Sequence, residues 1–114
     1  HAEVVPFPSR PVRLVVPFPP GGNADLVARV LAERLALRLV QPVLVESRSG
    51  ASARLGAEAV ARASADGHTL LVSNNVSLAT APAIAPPPGY RPLEDFAHLF
   101  MICTFANALV VRAE

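Results

Sequence analysis

Residues 12–25 read VRLVVPFPPGGNAD, a run that predicts a strand, a tight turn and the start of a helix. Val12 to Val16 is short and largely apolar, which is typical of a strand buried on both faces in a parallel sheet. From Asp25 to about Leu39, apolar residues recur every three or four positions, which predicts an amphipathic helix. The turn Pro17-Phe18-Pro19-Pro20-Gly21-Gly22 joins the two elements.

The same alternation continues outward from this stretch. Pro42 to Glu46 predicts a second strand, about Ala53 to Ala63 a second helix, and Thr69 to Val72 a third strand. Short connections between strand, helix, strand, helix and strand imply parallel strands and right-handed crossovers. The predicted fold class is therefore α/β: a Rossmann-like half, with a short, mostly parallel sheet and helices on both faces.

The last part of the chain gives weaker signals. We expect a short helical stretch near Leu78 to Ile84, a loop at Pro86 to Gly89 and one helical turn at Pro92 to Phe96. Two further runs, Leu99 to Cys103 and Ala108 to Val111, have the composition of strands.

Length and composition exclude several classes of protein. The 114 residues suit one domain, and 52% hydrophobic with 17% charged residues predicts a folded chain. Ten basic residues nearly balance nine acidic ones, so the chain lacks the positive electrostatic potential that attracts nucleic acid. No stretch reaches the roughly 20 apolar residues that cross a bilayer, and the start lacks the pattern of a signal peptide, so we expect a soluble, cytosolic or already processed chain without membrane insertion. The single cysteine, Cys103, is expected to be a buried, inert thiol.

The first loop has the features of an anion site. Ligands of open α/β sheets bind outside the carboxyl ends of the strands. Gly21 and Gly22 let backbone amides approach a ligand, and the helix that starts near Asn23 to Asp25 points its positive end there. Neither a dinucleotide fingerprint nor a Walker loop is present, and the loop has no lysine or arginine. A small carboxylate is the better match.

The loop after the third strand is the second candidate, because Ser73, Asn74, Asn75 and Ser77 cluster polar groups at the same end of the sheet. Two structural alternatives stay open. The first loop could be only a strand-to-helix turn with Asp25 as a helix cap, and the second only a polar loop with Ser77 as a cap.

Catalytic chemistry has no visible support. His68 and His98 stand about thirty residues apart without a cysteine or second histidine at ligand spacing, and no nucleophile motif occurs. We expect no enzyme activity, no cofactor and no metal.

Motifs along nearly the whole chain resemble the Bug family, the extracytoplasmic solute receptors of tripartite tricarboxylate transporters. The matching pieces include Phe7-Pro8-Ser9-Arg10-Pro11, Arg13 to Gly22, Asp25, Val27-Ala28-Arg29, and Gln41 to Glu46. The match continues through the segments Arg48, Gly50-Ala51, Gly56-Ala57-Glu58, Asp66-Gly67, Thr69 to Val72, Pro92, and Asp95-Phe96.

The resemblance implies a periplasmic, two-lobed protein that closes on a small carboxylate and works with membrane transporter subunits. Two loops of the first lobe of this type II periplasmic-binding-protein-like fold would hold one carboxylate through backbone amides and waters. The ligand-binding residues predicted on this basis are Phe18, Pro20, Gly21, Gly22, Asn23, Ala24, Asp25, Ser73, Asn74, Asn75 and Ser77.

Relative to the family, the chain resembles the first third of a member. Residues 1–106 are expected to form an incomplete first lobe, and 107–114 a crossover strand toward a second lobe. Sheet edges without a neighbouring strand predict a homodimer, and a domain-swapped dimer is one form that it could take. The alternative function is an interaction module that dimerises through these edges and no longer binds solute. The chain departs from the family at Ala24, a common threonine, at Ser52 and Ala53, usual glycines, and at Asn74 and Asn75, usually smaller.

Overall fold

The computed structural model describes residues 5–84 and 89–114 and contains three strands and three α-helices. The proline run 86–88 lies outside the described residues. The elements in chain order are β1 Val12–Val16, α1 Asn23–Leu39, β2 Val43–Ser47, α2 Arg54–Ala61, β3 Thr69–Leu71, a π-helical turn Val76–Thr80 and α3 Ala81–Ile84. Each predicted strand and helix up to residue 84 is present, with ends displaced by at most a few residues.

The sheet has the order β2-β1-β3, and both pairs are parallel. Val16 is the register partner of Ser47, and Val15 is the partner of Leu71. β1 therefore has a neighbour on each side, which explains why its apolar run is continuous rather than alternating. This order also places the loop after β1 beside the loop after β3.

Helices cover the two faces of the sheet, as the sequence predicts. Leu14 and Val16 of β1 form the core with Ala28 and Ala32 of α1 and with Val72. The small alanines allow α1 to lie close to the strands. On the other face, α2 packs against β1 and β3, and its residue Ala57 is fully buried.

The N-terminal segment is fixed to the entry of β3 by His68, which is buried. The Ser9 backbone N–H donates to Nε2 of His68 at 3.1 Å, and the ring of Phe7 contacts the imidazole edge-on at 5.0 Å. Arg10 forms an ion pair with Asp66, one turn before the strand. His68 is thus a structural histidine that uses both ring nitrogens within the fold.

The two predicted strands Leu99 to Cys103 and Ala108 to Val111 are wrong for this structure. Residues 96–114 form neither helix nor strand, and from residue 97 onward every side chain is exposed. A strand needs a hydrogen-bonded neighbour, and none of the described strands pairs with this segment. The prediction of a buried Cys103 is wrong for the same reason, since its thiol is exposed.

Among residues 5–84 and 89–114, no helix combines the length and the apolar character that a membrane crossing requires. Within the same residues, histidine, cysteine, aspartate and glutamate nowhere gather in a group of three that could hold a metal ion.

Candidate functional site

A depression of about 340 Å³ lies where the loops after β1 and β3 meet. Phe18, Pro19, Pro20, Gly22, Asn23, Ala24 and Asn74 line it. The structure therefore brings together six of the predicted ligand-binding residues, from both predicted loops. A second groove, about 370 Å³, runs between α1 and β2 and includes none of them.

Backbone amides at the start of α1 supply hydrogen-bond donors on one side of the depression. The first N–H groups of a helix have no acceptor within it, and here no side chain caps them. The first helical hydrogen bond runs from Leu26 N to Gly22 O at 3.0 Å, which leaves the amides of Asn23 and Ala24 outside the helical ladder. Together with the helix dipole, these amides favour an anion.

Asn74, in the β3 loop, contributes a polar residue to the lining of the same depression. Its Oδ1 accepts a hydrogen bond from Val76 N at 2.9 Å, which orients the side chain. Because the amide oxygen is used in this way, the Nδ2 group is the end of the side chain that remains to donate to a ligand.

Asp25 holds the first loop together from below the depression and does not line it. Its buried carboxylate accepts from Gly21 N at 3.0 Å and from Arg29 Nε at 3.1 Å. The Gly21 amide and then Arg29 lower the pKa of Asp25 below its ordinary value of 3.8, so the group is ionised at neutral pH. Gly21 adopts φ +92°, a conformation that L side chains rarely adopt, and its N–H points at Asp25 instead of a ligand.

Ser77 also turns inward. It is fully buried, its hydroxyl is hydrogen-bonded to that of Ser73, and its carbonyl oxygen accepts from the Tyr90 hydroxyl at 2.5 Å. Burial raises the pKa of Tyr90, which keeps this donor protonated. The structure places Ser73, Ser77 and the exposed Asn75 outside the lining of the depression.

Sequence reasoning missed two participants. Pro19 lines the depression but is not among the predicted ligand-binding residues. Tyr90 supports the β3 loop from thirteen residues away, and no local pattern indicates this contact. Glu46 forms an ion pair with Arg48 at 2.7 Å, and Arg13 joins the same carboxylate.

Comparisons with known proteins identify relatives of this chain. The family model described as the tripartite tricarboxylate transporter family receptor matches residues 27–114. Protein BugT of Bordetella pertussis is 44% identical over 107 residues, which are 93% of this chain and 33% of that protein. The chain thus spans about a third of the length of the curated relatives that it matches.

Two solved structures from Rhodopseudomonas palustris have the same fold. MatC with bound malate superposes with a TM-score of 0.75 at 44% identity, covering 79% of this chain and 31% of that one. A second protein, solved with adipate, gives a TM-score of 0.73 at 38% identity, covering 76% and 29%. The resemblance and the fold class predicted from the sequence are confirmed. The chain belongs to the tripartite tricarboxylate transporter receptor family, and its structure corresponds to one α/β lobe.

Proposed function

We propose that this chain carries the carboxylate-binding loops of a periplasmic solute-binding receptor. It would hold one carboxylate of a small acid and would serve a tripartite tricarboxylate transporter without catalysing a reaction. The observation that supports this most is the depression, which is lined by Asn23 and Ala24 at the start of α1 and by Asn74 of the β3 loop. Relatives of the same fold have been solved with malate and with adipate.

Neutral donors are sufficient for this task. The lining contains no lysine or arginine, and Arg29 is already hydrogen-bonded to Asp25. Phe18, Pro19 and Pro20 make one wall apolar, which favours an organic acid over a strongly hydrated inorganic anion. The stiff proline turn reduces the conformational entropy that is lost on binding.

Calorimetry with malate, adipate and their neutral amides tests the proposal. We expect the acids to bind and the amides to give no heat. In Asn74→Asp, Oδ1 can still accept from Val76 N, but a repulsive oxygen replaces the donor, so affinity should fall at least about tenfold. Asn75→Asp is the charge-matched control, because Asn75 is exposed and outside the depression, and it should change affinity little. Absence of binding by every acid would contradict the proposal.

A second candidate function is an interaction module, and the exposed apolar segment 99–111 supports it. Leu99, Phe100 and Met101 expose 68–77% of their surface, and Leu109 and Val111 more than 90%. In this alternative, segment 99–111 of one copy pairs with the free edge of β3 in another, which gives a strand-exchanged homodimer.

Sedimentation velocity over a range of concentrations separates the two functions. A dimer that dissociates when Phe100 and Leu109 are both changed to aspartate, and that ignores every acid of the panel, would support the interaction module. A monomer at all concentrations would rule it out.

A further inference from the structure

Two buried polar atoms lack a hydrogen-bond partner among the described residues: Oδ1 of Asp25 and the hydroxyl of Ser47. Buried polar atoms in native proteins are nearly always hydrogen-bonded, because an unsatisfied one keeps its full desolvation cost. An ionised carboxylate oxygen is the most costly case. Each of these two atoms therefore calls for a partner.

Ser47 and Asp25 lie at the same end of the same interface. Ser47 is the last residue of β2 and follows Val43 and Val45 at two-residue spacing, so it shares their face, which packs against the α1 core. Asp25 belongs to the buried stripe of α1 that continues with Ala28 and Ala32. Both residues therefore lie between α1 and the sheet, at its carboxyl end.

This place is distinct from the depression described above. β2 and β3 lie on opposite sides of β1, and the depression takes its second wall from the β3 loop. Neither Ser47 nor Asp25 lines it. A group that is hydrogen-bonded to both atoms would therefore stabilise the first loop from outside the depression, and it would not occupy the volume available to a ligand.

We propose that Ser47 is a positioning residue for the first loop, and that its hydroxyl and Oδ1 of Asp25 share one enclosed water molecule. A carboxylate oxygen only accepts, whereas a water donates twice and accepts as well, so one molecule satisfies both atoms. Water suits the pair because the two side chains form no direct hydrogen bond in the structure.

The consequence reaches the site through Asp25. Its other oxygen, Oδ2, accepts from Gly21 N and Arg29 Nε, so a fixed carboxylate holds the turn that ends at the helix-start amides. Ser47 acts through Asp25 and does not touch the ligand. The effect on affinity rests on the proposed carboxylate binding, whereas the Ser47–Asp25 link does not.

NMR titration of the Asp25 carboxyl carbon in the folded chain tests the link without any ligand. Ser47→Ala removes a group that stabilises the ionised form, so the pKa of Asp25 should rise toward its ordinary value. Ser47→Thr, which keeps the hydroxyl, should restore it. Ser49→Ala is the matched control, because Ser49 is exposed in the following loop. An unchanged pKa of Asp25 in Ser47→Ala overturns the proposal.

A second measurement covers the case in which Ser47→Ala does not fold. In a high-resolution crystal structure of the unchanged protein, one water bonded to both atoms supports the proposal, and an Oδ1 bonded to a different side chain overturns it. Malate affinity then separates the two claims. If the unchanged chain binds no acid of the panel, the proposed function fails while the titration still decides the role of Ser47.

Discussion

β1 and the segment 99–111 are both rich in large apolar side chains, yet the structure treats them in opposite ways. Leu14 in β1 is 1% exposed, and Leu109 is fully exposed. β1 has parallel neighbours on both sides and helices above and below, whereas no described strand pairs with 99–111. An apolar run thus favours a strand, but only neighbouring elements make it one.

The same substitution made in β1 and in segment 99–111 tests directly whether only β1 is packed. Leu14→Ala removes buried methyl groups from the core and should cost about 2–5 kcal/mol in the free energy of unfolding. Leu109→Ala should change it by less than about 0.5 kcal/mol. Urea unfolding followed by circular dichroism measures both, and equal costs would show that 99–111 is packed in solution.

The contact between α2 and the ends of β1 and β2 gives the next largest expected effect. A Cβ at Gly56 would lie 2.8 Å from both Arg48 O and Pro17 Cβ, so Gly56→Ala forces the backbone to move. We expect a net loss of roughly 1–3 kcal/mol despite the better helix propensity of alanine.

Gly22→Ala is the control for this contact, since its nearest atom, Pro19 O, lies at 3.9 Å. Thermal unfolding of both variants checks the difference. If Gly56→Ala unfolds at the same temperature as the unchanged protein, α2 is not packed tightly against Pro17 and Arg48.

The first loop can be tested through its backbone. Gly21 has open space around it but a φ of +92°, so Gly21→Ala adds strain without a clash. The expected cost is about 1–2 kcal/mol, measured by chemical unfolding. A cost near zero would indicate that the turn changes conformation easily, and that it is less rigid than β1, which precedes it.

The smallest expected effect concerns the Arg10–Asp66 ion pair at the N-terminal segment. The hydrogen bond from Arg10, and then that from the His68 backbone N–H, lower the folded-state pKa of Asp66 from 3.8 to about 2. The pair therefore contributes stability that is complete above about pH 4 and is lost as the pH falls toward 2. Both groups are partly exposed, so salt should weaken the effect.

Thermal unfolding between pH 2 and pH 5, at low and high salt, measures this contribution. Asp66→Asn should remove this part of the pH dependence and leave the rest. A profile that is the same in Asp66→Asn and the unchanged protein would contradict the role of the pair.

The candidate site was only partly predictable. Gly22, Asn23 and Asn74, three of the predicted ligand-binding residues, line the depression, because strand ends and helix starts are readable from local patterns. Asp25 and Ser77 are also among the predicted ligand-binding residues, but the side chain of Asp25 is hydrogen-bonded to Gly21 N and that of Ser77 to the Ser73 hydroxyl. The direction of a side chain depends on which partner lies nearest, and sequence spacing does not supply that information.

The sequence by itself determined the order of strands and helices up to residue 84, since hydrophobic period and turn residues act over a few neighbouring positions. It also determined the family, through motifs spread along the chain. Only the tertiary structure decided which residues of the β1 and β3 loops line the shared depression, and that 99–111 stays unpaired. These outcomes depend on contacts between residues far apart in the chain, where packing overrides local preference.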